Sequence, residues 1–322
     1  MSVATDIGRK TIRLCHFFVD TVVLIVVLLL FVVGCYAIGD SRQVYHAADA
    51  SRYEPYKPTT ENGGKTFAQL QDINPDVFAW LTVYGTHIDY PVVQGKDNMR
   101  YINTNAEGDY SLSGAIFLDY RNARDFSDFS SILYGHHMEK NAMFGEIGLF
   151  ADRGYFSQRE YGTLTFGGQE KGLEFFAFLH VDAYDSSVFT AKHVGQQAQE
   201  AYLDALLQKA THTRELQVTT NDRIVLLSTC SSSSTNGRDI LVGKITDEVV
   251  PDPFKTNDTG KGASRGADRL FEFWASLPGA VRVALIAAIF LILLLLMSLL
   301  IERRRRKKRA HLDPKYNNSI LN

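Results

Sequence analysis

No pair of cysteines is placed to bridge the polar middle of this chain. Of the three in 322 residues, Cys15 lies at the edge of a long apolar run, Cys35 lies inside it, and Cys230 stands alone. A disulfide-stapled fold is therefore excluded for the central region. Internal repeats are absent too, which excludes a repeat architecture. No His, Cys, Asp and Glu cluster has metal-ligand spacing, so no metal site is expected. A regular alternation of strand and helix is also missing, which argues against a parallel α/β sheet.

Long apolar runs, by contrast, are present twice. Residues 17–39 read FFVDTVVLIVVLLLFVVGCYAIG, with Asp20 the only charge, and residues 283–301 read VALIAAIFLILLLLMSLLI, with none. Each is long enough to cross a hydrocarbon core of about 30 Å. Arg9, Lys10 and Arg13 precede the first run, and RRRRKKR, Arg303 to Arg309, follows the second. Positive charge on both outer flanks predicts cytoplasmic termini and an extracellular middle. The net charge of −2 hides this asymmetry. Residues 40–281 carry 32 acidic and 22 basic side chains, a net of −10. The basic cluster reads as a topology anchor on anionic membrane lipid, not as a nucleic-acid surface. The stretch VVGC ending at Cys35 matches a short lipidation motif. The apolar run continues past it, which favours an uncleaved span.

The predicted organisation is a cytoplasmic N-terminus (1–16), a transmembrane helix (17–39), an extracellular stalk (40–65) and a folded extracellular domain (66–248). A linker and juxtamembrane segment (249–282), a second transmembrane helix (283–301) and a basic cytoplasmic tail (302–322) complete it. Within the domain, aromatic and β-branched runs predict strands at 78–83, 88–93, 115–118, 131–134, 163–166, 173–183, 223–228 and 240–245. Helical spacing predicts a short helix over 67–73 and a longer one over 194–210. The expectation is an all-β unit, closed or nearly so, with a helix in one long connection.

Chemistry concentrates at strand ends. In RIVLLSTCSSSSTNGRDILVGKI, Cys230 ends one apolar run and Arg238 begins the next after the turn-forming pair Asn236-Gly237. If the two runs pair as a hairpin, Cys230 and Arg238 leave the sheet at the same end. His136, after Gly135 in LYGHHM, ends another strand and is the candidate proton partner for a thiol nucleophile. A guanidinium is no base at neutral pH, but it can hold a carbonyl or an oxyanion. Ser228, Thr229 and Ser231 are the candidate substrate-binding hydroxyls. Each residue also has a plainer reading. An isolated cysteine is more often structural, His137 competes with His136, His180 suits a core or rim position, and Arg238 suits a solvated turn.

Together these residues resemble the sortases, the membrane-bound cysteine transpeptidases of Gram-positive bacteria, and class B in particular. The nucleophile signature Thr-Leu-x-Thr-Cys appears as LLSTC, Leu226 to Cys230, with leucine at the first position. YGHHM carries the family histidine at His136, with His137 where class B often has asparagine. Arg238 falls at the family arginine. FAWLTVYGTHIDYPVVQGKDNMRYI (78–102) and GAIFLDYRN (114–122) are further class B features, and the resemblance spans 66–247.

The resemblance implies an all-β, closed eight-stranded sortase-like barrel with peripheral helices, flanked by two transmembrane helices. It implies that Cys230 attacks a Thr–Gly or Thr–Asn bond in the C-terminal sorting signal of a secreted protein. His136 serves as acid and base, and Arg238 supports the oxyanion. The acceptor is an amine of a peptidoglycan precursor or cross-bridge, or a pilin lysine, and no cofactor is needed. The C-terminal span is more typical of pilus-building class C, yet no Asp-Pro-aromatic lid motif occurs in 40–65, so an open groove is expected. An inactive sortase-like binding module is the alternative outside enzymes.

Overall fold

The computed structural model describes residues 3–58, 65–230, 236–255, 281–282 and 285–290. The chain divides into two compact units, one from Val44 to Thr259 and one from the flanking segments.

In the flanking unit, helix α1 (Val3–Ala47) contains Phe18–Ala37, a stretch with mean hydropathy 2.9 and no burial inside the protein. It is long and apolar enough to cross a membrane. Phe31 of α1 packs its ring 4.6 Å from that of Phe290. Most of the second predicted span and the whole basic tail lie outside the described residues. Two-pass topology therefore stays an expectation.

The larger unit is built on a closed barrel. Strands β1 (Val77–Val83), β2 (Asp89–Val93), β3 (Ile116–Leu118), β4 (Ser130–Tyr134), β5 (Tyr161–Phe166), β6 (Gln169–Asp182), β8 (Arg223–Cys230) and β9 (Gly237–Thr246) form a ring. The order is β5-β1-β2-β3-β4-β8-β9-β6, and β6 returns to pair with β5. A short β7 (Ala210–Thr213) adds to β6 outside the ring. Closure leaves the eight ring strands no free edge. β2–β3 and β4–β8 are parallel, and the other pairs are antiparallel. Helices α2 (Lys65–Ile73), α3 (Arg153–Gln158) and α4 (Gln196–Lys209) lie around it.

Two apolar layers form because β8 and its neighbours are buried on both faces. Val225, Leu227 and Leu241 join the main cluster with Trp80, Phe144 and Phe178. Ile224, Leu226, Ile240 and Val242 point the other way, into a cluster with Tyr202, Leu203 and Leu206 of α4. A strand covered on both faces reads as an unbroken apolar run rather than an alternation, as RIVLL does. Leu226, the departure from the family signature, is fully buried in this outer layer, where a leucine suits the apolar contact.

All eight predicted strands are present, within four residues at their ends, and so are both helices. β7 was not anticipated, because ATHT follows α4 without a turn signal. The segment expected as a stalk also differs. α1 continues to Ala47, 3-10 turns follow at Ala50–Arg52 and Glu54–Tyr56, and Ala48 and Tyr53 are buried in the main core. The Tyr90 hydroxyl donates to the Ala48 carbonyl at 2.7 Å and accepts from the Met143 N–H at 3.0 Å. Residues 48–56 thus belong to the domain, because a polar-looking stretch still holds enough apolar side chains to dock.

Candidate active site

The strand register brings the three sequence-predicted catalytic residues to one place. β9 runs antiparallel to β8, and Cys230 is the direct partner of Arg238. On the other side β4 runs parallel to β8, with Tyr134 opposite Ser228. The ladder goes on past the strand end through Gly135 N–H to the Ser228 carbonyl, 3.2 Å. His136 is therefore two residues past a paired position, level with Cys230. Strand alternation then turns positions 136, 230 and 238 toward the same face. Cys230 sits between a histidine and an arginine contributed by its two neighbouring strands.

These side chains line a groove of about 360 Å³. Its walls include Asn98, Met99 and Ile102 from the β2–β3 connection, Phe117 of β3, Tyr134 of β4 and Phe189 of the β6–α4 loop. Cys230 is exposed at the rim as a free thiol, and His136 and Arg238 are half-buried. The Arg238 Nη1 donates to the Gly237 carbonyl at 3.0 Å, and among the described residues it makes no ion pair. Its positive charge is thus not neutralised by a carboxylate there.

His136 Nε2 lies 2.8 Å from the Ile102 carbonyl oxygen. A carbonyl only accepts, so Nε2 carries the hydrogen and Nδ1 is left as the nitrogen that can exchange a proton. The backbone behind this contact is tight. Gly114 has φ +60°, and a Cβ there would stand 2.5 Å from the Tyr101 oxygen and 2.6 Å from the Ile102 oxygen. Gly135 is as crowded, since a Cβ would meet Ile116 Cδ1 at 2.5 Å.

Ser228 and Thr229 also line the groove, and both side-chain oxygens are buried without a hydrogen-bond partner among the described residues. Ser231, the third predicted hydroxyl, lies outside the described residues. The competing histidines are elsewhere. His180 pairs through Nδ1 with the buried Asp239 carboxylate at 2.8 Å, and neither it nor His137 lines the groove. The sequence reading assigned no role to Asn98, Tyr134 or Asp119. The only signal for Asn98 and Asp119 was their membership in the two class B stretches, and for Tyr134 its place at the start of YGHHM.

No protein-family profile matches the chain. Sortase B of Listeria monocytogenes is 31% identical over 192 residues, which is 58% of this chain and 78% of that protein. The crystal structure of sortase B from the type II pilus of Streptococcus pneumoniae is similar at 49% identity, covering 56% of this chain and 99% of that one, with TM-score 0.51. A Staphylococcus aureus sortase B–substrate complex is 30% identical, covering 56% and 85%, with TM-score 0.53. With the fold, the strand-end residues and this degree of identity in agreement, the chain belongs to the class B sortases, a family of cysteine transpeptidases.

Proposed function

We propose that Cys230, His136 and Arg238 are the catalytic residues, and that the protein cleaves a C-terminal sorting signal and joins the surface protein to a peptidoglycan amine. The observation that carries this reading is the register that sets Cys230 between His136 and Arg238. His136 Nδ1 takes the thiol proton, and the Cys230 sulfur attacks the threonine carbonyl carbon of a Thr–Gly or Thr–Asn bond. The carbonyl π pair moves onto oxygen, where the Arg238 guanidinium stabilises the charge. Collapse breaks the C–N bond as His136 returns the proton to the departing amine, leaving a thioester on Cys230. The acceptor amine then attacks the thioester and gives its proton to Nδ1, and the thiolate leaves. One amide is broken and one is formed, with no net redox change and no cofactor.

Ser228, Thr229 and Ser231 are assigned to substrate binding. The Staphylococcus aureus sortase B–substrate complex supports a substrate-binding site in this fold. The phenylalanine at 189 supports the reading that the β6–α4 loop shapes that groove.

A second acceptor, the lysine of a pilin subunit, is favoured by the 49% identity to the type II pilus enzyme. The apolar stretch of α1 and the flanking basic residues support a membrane protein with both termini cytoplasmic and the barrel outside. Incubating the protein with a fluorogenic sorting-signal peptide and either a cross-bridge peptide or a lysine-bearing pilin domain separates the acceptors by product mass. Wild-type protein that accumulates no thioester and cleaves no faster than Cys230→Ala rules the proposal out and leaves the binding-module alternative.

A further inference from the structure

A buried carboxylate behind the groove ties its walls together. Asp119, in GAIFLDYRN, has a fully buried side chain. Its Oδ1 accepts from Arg121 Nε at 2.8 Å and from the Arg121 backbone N–H at 3.0 Å. Its Oδ2 accepts from Arg121 Nη2 at 2.8 Å, Asn98 Nδ2 at 2.9 Å and the Tyr134 hydroxyl at 3.1 Å. The Asn98 amide is held from both ends, since its Oδ1 accepts from the Tyr120 N–H at 2.9 Å. Arg121 also reaches the opposite wall, with Nη2 donating to the Phe189 carbonyl at 3.3 Å. One carboxylate therefore connects the β2–β3 connection, the β4 wall and the β6–α4 loop, and none of its contacts is with Cys230, His136 or Arg238.

We infer that Asp119 and Arg121 are positioning residues that fix the width of the groove and thereby its selectivity for the sorting-signal residues that precede the scissile bond. The inference rests on the sortase reading of the site. The chemistry of the parts fits that task. A bidentate guanidinium–carboxylate pair fixes both distance and plane, and a buried charge without its partners is costly, so the walls cannot separate freely. Asn98, Tyr134 and Phe189 line the groove, so their placement decides which side chains fit. Two walls held by a common anchor also keep peptide recognition separate from the proton transfers at the strand ends.

The test uses the full-length protein in detergent and fluorogenic peptides with Thr–Gly and Thr–Asn bonds, varied at the residues before the threonine. Arg121→Lys keeps the charge but loses the fork. Tyr134→Phe removes one donor, and Asp119→Asn turns an amide N–H toward the donors. Arg121→Lys and Asp119→Asn should raise KM about tenfold and flatten the ranking of peptides, with kcat within about twofold. Tyr134→Phe should give a smaller shift in the same direction. Alkylation of Cys230 by iodoacetamide, which reports an intact catalytic end, should keep its wild-type rate. A wild type that cleaves, beside an Arg121→Lys variant with unchanged KM and ranking, overturns the inference. So does a variant that lowers kcat and alkylation while KM holds. If Asp119→Asn fails to fold, Arg121→Lys decides. A wild type that cleaves no peptide overturns the sortase reading itself, and this inference with it.

Discussion

Cys230 and Arg238 are direct cross-strand partners at the open end of the β8–β9 ladder. Antiparallel pairing places their side chains on one face, so the thiol and the guanidinium share the groove without any loop having to bring them together. Replacing Arg238 by Ala should lower kcat/KM for a sorting-signal peptide by about 10²–10³, the scale for losing one oxyanion donor. Lysine, which keeps the charge and loses the fork, should recover part of it. Steady-state cleavage assays check both. A loss in KM alone would assign Arg238 to substrate binding only.

His136 should matter through Nδ1. Substituting it by Ala should lower kcat by about 10²–10⁴ while leaving the circular dichroism spectrum unchanged. Nitrogen-15 spectra of the imidazole should show the neutral form protonated at Nε2, the atom facing the Ile102 carbonyl. The opposite tautomer in the free protein would contradict this assignment.

Gly114 is a backbone position behind the site with no room for a methyl group. An alanine there meets two carbonyl oxygens inside 2.7 Å at a positive φ, so Gly114→Ala should destabilise the domain by about 1–3 kcal/mol. Because Ile102 is one of the displaced carbonyls, the variant should also lose activity at temperatures where it remains folded. Chemical denaturation and cleavage assays on the same preparation read the two effects.

Acid should weaken the domain through Asp119. Burial pushes this carboxyl up, but hydrogen bonds and charge from Arg121, with Asn98, outweigh it and hold the group below its usual value. A carboxyl depressed in the folded state contributes stability above its unfolded pKa, near 3.9, that is lost as pH falls through the folded value. Urea midpoints measured from pH 6 down to 2.5 should fall more steeply in the wild type than in Asp119→Asn, with the difference opening below about pH 4. Parallel slopes would contradict it.

Most of the strand pattern was legible because the barrel is buried on both faces along β8 and its neighbours, and such strands announce themselves as apolar runs. Helix α4 was legible for a different reason, its spaced apolar face. β7 was not, since four residues at the end of a helix carry no period of their own. The docking of Ala48 and Tyr53 was hidden as well, because burial there depends on Tyr90 and Met143, far away in the chain.

The sequence by itself determined that one thiol would stand at the end of an apolar strand, with an arginine opening the next strand and a histidine closing another. Local pattern suffices for that, because strand ends and turns are written in neighbouring residues. Only the tertiary structure decided that His136 is level with Cys230, since that follows from β4 running parallel to β8 with 88 residues of chain between the two strands. It alone decided that His180 faces Asp239 instead, and that Asp119 gathers Asn98, Arg121 and Tyr134 behind the groove. Strand order and register are set by which apolar faces can be buried together, and no short stretch of sequence contains that information.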